Sequence, residues 1–155
     1  MGRALIGGLL RSGTRAEAVS VGEPFAPARE ALARELGVSA LEDNARAIEG
    51  ATLVLLAVKP ADAQPVLEAL APRLTAARPL VISVCAGVRL AALQRWCGAG
   101  VPVVRAIPNR PALVGAGVSA LYAPDTVAAR EDSSGRSTIP VLSGRNGPQR
   151  TMDAR

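Results

Sequence analysis

Apolar positions along the chain follow two rhythms. Thr52-Leu53-Val54-Leu55-Leu56-Ala57-Val58 and Leu80-Val81-Ile82-Ser83-Val84-Cys85 are apolar on both faces. That pattern predicts central strands of a parallel sheet. Residues 101–107 predict a third such strand, residues 19–21 and 38–41 two short ones, and residues 114–122 one more. Between the strands the spacing turns helical. Residues 2–12 carry Ala4, Leu5, Ile6, Leu9 and Leu10, with Ser12-Gly13 as a stop. Gly7 and Gly8 would let another backbone come close. In residues 26–36, Leu32 and Leu36 stand four apart on one face, and Gly37 is the C-cap. Asp43 or Asn44 would cap a brief helix through Ile48. Residues 61–74 turn Val66, Leu67 and Leu70 inward, with Pro65 tolerated near the first turn. Residues 90–96 give a last short helix. This alternation predicts an α/β fold, a doubly wound, mostly parallel sheet with helices on both faces.

Composition narrows the chemistry. The 155 residues are 49% hydrophobic, with one Trp, one Tyr and one Phe, so the core must be aliphatic. The net charge is +5, and Lys59 is the only lysine among scattered arginines. Scattered arginines without aromatic stacking residues argue against nucleic acid, although the excess charge helps attract an anionic cofactor. There is no His, and Cys85 and Cys97 lie in no metal-ligand spacing. A zinc site and a His-based triad are excluded. Cys85, inside an apolar run, is expected to pack as a small hydrophobe. No run approaches the roughly 20 apolar residues of a membrane span, and the apolar N-terminal stretch lacks a cleavage pattern. A cytoplasmic protein is expected. From residue 131 the chain turns to Ser, Gly, Arg and Pro, with Ile139, Val141 and Leu142 as its only aliphatics. The predicted organisation is therefore one domain over residues 1–129 and an unrelated polar tail over 130–155, too poor in apolar surface to order itself.

In doubly wound sheets, ligands lie beyond the carboxyl ends of the strands. Three such ends combine a hydrophobic stop with small or rigid residues: Ala57-Val58-Lys59-Pro60, Val84-Cys85-Ala86-Gly87-Val88, and Ala106-Ile107-Pro108-Asn109-Arg110-Pro111-Ala112. Spacing alone marks a nucleotide-binding candidate.

The wording of four blocks is more specific. Met1-Gly2-Arg3-Ala4-Leu5-Ile6-Gly7-Gly8-Leu9 resembles the second half of the fingerprint Gly-x-Gly-Asn-Met-Gly-x-Ala. Ala57-Val58-Lys59-Pro60 is similar to an Ala-Val-Lys-Pro block, Ser83 to Val88 to a Ser-x-x-Ala-Gly block, and Arg105 to Val114 to Arg-x-Met-Pro-Asn-Thr-Pro-Ala-x-Val. In this order the blocks resemble the nucleotide-binding part of the pyrroline-5-carboxylate reductases over residues 1–129. The resemblance implies a Rossmann-like domain and the NADPH- or NADH-dependent reduction of 1-pyrroline-5-carboxylate to L-proline. It assigns to the cofactor Met1, Gly2, Asn44, Ala57, Val58, Lys59, Pro60, Ala86, Gly87 and Asn109. Gly2 would open the helix facing the diphosphate, and Asn109 would lie near the nicotinamide. Taken by themselves, Lys59 could be an exposed charge after a strand, Asn109 a turn residue, and Ala86-Gly87 an ordinary turn.

Departures from the family carry expectations of their own. Gly22-Glu23-Pro24 follows the second strand of the family pattern, where an acid favours a free ribose over a 2′-phosphate; Glu23 could equally face solvent, which leaves the choice between NADPH and NADH open. Arg110 stands where the family has Thr. The fingerprint starts at Met1, so the middle strand of the sheet is expected to be lacking, between the strands at Val19 and Leu53. Nothing in residues 131–155 resembles the helical domain that dimerises the family's enzymes and supplies the imine pocket. The chain is expected to carry no catalytic residue, to be monomeric or aggregation-prone, and to turn over little or nothing. The alternative is a dinucleotide-binding or non-catalytic remnant of a related 6-phosphogluconate-dehydrogenase-like oxidoreductase.

Overall fold

The computed structural model describes residues 2–108 and 119–122. Met1, Asn109, Arg110, the front of the strand expected over 114–122, and the 130–155 tail lie outside the described residues. Chain order is α1 (Gly2–Arg11), β1 (Ser20–Gly22), α2 (Ala26–Leu36), β2 (Ser39–Leu41), α3 (Asn44–Ala47), β3 (Leu53–Leu56), α4 (Pro60–Ala77), β4 (Leu80–Ser83), α5 (Leu90–Cys97), β5 (Val103–Pro108) and β6 (Ser119–Tyr122). A 3₁₀ turn at Ala16–Ala18, not read from the sequence, leads into β1.

The described strands form two sheets. In one, β1 runs parallel to β2, from Ser20 opposite Ser39 to Gly22 opposite Leu41. In the other the order is β3-β4-β5-β6. Its first three strands are parallel, while β6 returns antiparallel along β5. The α/β, mostly parallel architecture is thus as expected; the antiparallel return of β6 was not. Among the described residues, β1 and β3 each pair on one side only. This corrects the reading of residues 52–58 as a central strand. The ladder stops at Leu56 opposite Ser83, and Leu53 is 41% exposed.

One face of the larger sheet builds the main core. Val54, Leu56, Val81 and Val103 pack with Leu67, Leu70 and Leu74 of α4 and Leu93 of α5. The α4 positions Ala63, Leu67, Leu70 and Leu74 recur at helical spacing and are all buried. Each buried leucine contributes roughly 1.5–3 kcal/mol. α4 extends beyond its expected end at residue 74 to Ala77, where Arg78 in the left-handed region closes it, its N–H donating to Leu74 O at 2.7 Å. Because α4 starts at Pro60, Pro65 sits in its second turn rather than its first. An interior proline costs about 3 kcal/mol. Pro65 and Pro72 are exposed, and so are Ala61 and Glu68 four residues back, whose carbonyls can turn to water.

A smaller core joins Ile6 of α1, Leu32 of α2 and Val38, with Leu10, Val21 and Ala40 against it. An Arg3–Glu35 ion pair fastens α1 to α2 at the surface. Gly7 does not admit a foreign backbone: the nearest atom to its missing Cβ is Nη1 of Arg11, in the same helix, at 3.2 Å.

Candidate functional site

The carboxyl ends of the parallel strands gather most of the described residues proposed from the sequence. Gly2 opens α1, which has no acid in its first turn. A Cβ on Gly2 would stand 3.3 Å from the Cβ of Ala57. Glycine therefore lets the start of α1 rest on the chain leaving β3, and α1 bridges the two sheets: its first residue touches the β3 end while Ile6 belongs to the smaller core. Ala57 and Val58 lie past the end of β3, both half-buried. Lys59 is exposed and is the N-cap of α4 without any side-chain cap bond. Pro60 begins that helix, where its missing N–H costs nothing.

The loop after β4 lies against the same place. Val84 N–H donates to Leu56 O at 3.0 Å. The Cys85 thiol donates to Val58 O at 3.3 Å and reaches Leu56 O at 3.8 Å. Cys85 N–H donates to Ser83 Oγ at 3.3 Å, which satisfies the one buried polar side chain of β4. Cys85 is indeed buried and unoxidised, as is Cys97, but it acts as a donor as well as a small apolar filler. Ala86 and Gly87 follow it and are exposed, with Gly87 at φ 74°, where a side chain would be strained.

Asn44 belongs to a second grouping. It is the first residue of α3, capped by Asp43, whose carboxylate accepts from Ala45 N–H at 2.8 Å. The Asn44 carboxamide presses on Gly22 so closely that a Cβ there would collide with it, and the Asn44 Cα would lie 3.0 Å from that Cβ. The contact shown for Asn44 is therefore with the end of β1. Gly22, Ser83 and Cys85 stood in the stretches quoted from the sequence but were not assigned to the cofactor. Among the described residues no cluster of side chains suited to a metal ion occurs, and no helix is long and apolar enough to cross a membrane.

The family of NADP oxidoreductases described as coenzyme F420-dependent matches residues 1–87, more than half of the 155-residue chain. The chain belongs to that family. Within this oxidoreductase family its relatives are the ones the four blocks pointed to. It is similar to the pyrroline-5-carboxylate reductase of Pseudomonas aeruginosa, 40% identical over 131 residues, covering 84% of this chain and 48% of the relative. It is 42% identical over 126 residues to the Mycobacterium tuberculosis protein of the same name, covering 78% and 42%. Of solved structures, the pyrroline-5-carboxylate reductase of Coxiella burnetii superposes with a TM-score of 0.76 at 30% identity, over 84% of this chain and 50% of that one. The Plasmodium falciparum pyrroline carboxylate reductase, solved with NADP bound, gives 0.71 at 25% identity, over 86% and 48%. The chain spans about half the length of the curated relatives it matches.

Proposed function

We propose that this chain binds NADPH or NADH across the carboxyl rim of its strands, as the dinucleotide-binding part of a cytoplasmic enzyme that reduces 1-pyrroline-5-carboxylate to L-proline. The observation that carries the reading is the convergence of three chain segments: Gly2, where an added Cβ would stand 3.3 Å from the Ala57 Cβ, and the Cys85 thiol on Val58 O at 3.3 Å. These contacts bring the start of a helix and two strand ends to one rim.

The residues there suit a dinucleotide. The first turn of α1 offers unpaired N–H donors and a positive dipole end to a diphosphate, with no acid to oppose it. Gly2, Ala57, Ala86 and Gly87 leave the backbone open to close approach, and Val58 gives an apolar wall. Lys59 supplies a cation that makes no ion pair among the described residues, and Pro60 holds it at the entrance to α4. Met1 and Asn109 complete the proposed set. When bound, the dinucleotide supplies the hydride; these residues hold and orient it. The NADP in the Plasmodium relative supports the same class of ligand.

Fluorescence titration of the full chain with NADPH and NADH tests the reading. Saturable binding of either is expected. Lys59→Gln should weaken it about tenfold, roughly the 1.4 kcal/mol of one charge-assisted contact, with the melting temperature unchanged. No binding of either dinucleotide at millimolar concentration would overturn the proposal. A parallel assay with pyrroline-5-carboxylate is expected to detect little or no turnover by this chain alone.

A further inference from the structure

We propose that Glu23 makes this chain select NADH over NADPH; this deepens, and rests on, the dinucleotide reading above. In a doubly wound sheet the adenine ribose is held at the end of the second strand of the binding unit. An acid there hydrogen-bonds a free 2′-hydroxyl, whereas a 2′-phosphate needs a basic group. β1 is the strand that follows α1, and Glu23 is the first residue beyond it.

Its carboxylate is held in place rather than left to swing into solvent. Glu23 N–H donates to Leu41 O at 2.8 Å, which fixes the residue at the rim of the β1–β2 pair. Glu23 Oε1 accepts from Phe25 N–H at 3.0 Å, and Oε2 remains available to accept from a ribose hydroxyl. The neighbouring cation is already engaged. Arg29 Nη1 donates to Glu23 O at 3.0 Å and Pro24 O at 3.1 Å, and Nη2 lies 3.6 Å from the Glu42 carboxylate. Where β2 ends, Glu42 and then the helix-capping Asp43 add two further carboxylates to the same rim. A 2′-phosphate arriving here meets carboxylates and a guanidinium committed to main-chain carbonyls. A 2′-hydroxyl meets an acceptor. Beyond Arg29 and the Glu35-paired Arg34 of α2, Arg46 of α3 is the remaining basic group on these elements; it is exposed and makes no ion pair among the described residues.

The test is titration of the full chain with NADH and with NADPH, before and after substitution. The wild type should bind NADH tighter by about tenfold or more. Glu23→Gln keeps the oxygen that accepts from Phe25 N–H and removes the charge. It should tighten NADPH binding by about tenfold and weaken NADH binding by up to about tenfold, because the amide nitrogen that replaces Oε2 cannot accept from the 2′-hydroxyl, with melting unchanged. Arg46→Ala should leave the NADH-to-NADPH ratio where it was. NADPH binding as tight as NADH in the wild type, or an unchanged NADPH affinity in Glu23→Gln, overturns the assignment of selectivity to Glu23. Loss of both dinucleotides from the wild type instead defeats the proposed function and this inference with it.

Discussion

The thiol of Cys85 donates to the main-chain carbonyl of Val58 at 3.3 Å, so the loops leaving β3 and β4 are tied to each other. The Val84–Leu56 backbone bond at 3.0 Å lies beside this tie. Cys85 is 2% exposed, so its side of the contact is out of water. A carbonyl deprived of its donor in such surroundings costs more than the bond itself contributes.

Cys85→Ala therefore loses both the packed sulfur and the donor. We expect urea unfolding to give a loss of about 1–2 kcal/mol. Cys85→Ser keeps a donor at nearly the same place and should cost less. If serine costs as much as alanine, apolar packing and not the hydrogen bond holds the two loops.

What the sequence made legible follows from what each signal measures. The bounds of α2 were read to the residue, because Gly37 in the left-handed region stops it at a defined point. Apolarity overran β3 instead, since Ala57 and Val58 are apolar and half-buried yet lie past its ladder. Hydrophobicity reports burial, and strand assignment reports pairing. α4 runs three residues past its expected end at Leu74, because Arg78, a non-glycine residue in the left-handed region, gives no sequence signal for the stop. For the site, Gly2, Ala57 and Gly87 were proposed through family wording. The press of Asn44 on Gly22 had no sequence signal, because a glycine in a strand does not say which distant residue fills the space it leaves.

That press is testable. Gly22→Ala puts a Cβ into the Asn44 carboxamide and 3.0 Å from its Cα. The overpacking should cost about 1–3 kcal/mol in thermal or urea unfolding. Adding Asn44→Ala removes the carboxamide but not the backbone, so the double variant should recover part of the loss. Full recovery would mean that α3 moves freely against β1; no loss in Gly22→Ala alone would mean that the contact is not maintained in solution.

The unpaired side of β3 gives a further outcome. Leu53 is 41% exposed on a strand that pairs only with β4 among the described residues. Such an edge presents free backbone groups and an apolar side chain to other copies of the chain, and lysine on an edge strand opposes that association. Leu53→Lys should change unfolding free energy by no more than about 0.5 kcal/mol while raising the soluble, monomeric fraction in size-exclusion chromatography. A destabilisation well beyond that, with no gain in solubility, would show that Leu53 is covered in solution.

Alkaline pH acts on the main core through Cys97. Burial pushes this thiol up from 9.0 to about 11. In the unfolded chain it loses its proton first, while the folded chain still holds it. Over that window the folded state binds more protons, so stability falls as pH rises from about 9 toward about 11 and is unaffected by this group below it. Cys97→Val removes the thiol and keeps an apolar filler at the end of α5. Its urea midpoint, compared with the wild type at intervals from about pH 8 to about pH 10.5, should fall less steeply at the alkaline end. In parallel, iodoacetamide at pH 8 should label Cys97 far more slowly in the folded chain than in urea, since the reactive thiolate is both rarer and enclosed. Equal alkaline slopes in the two proteins, together with rapid labelling of the folded chain, would mean that Cys97 titrates as an open thiol.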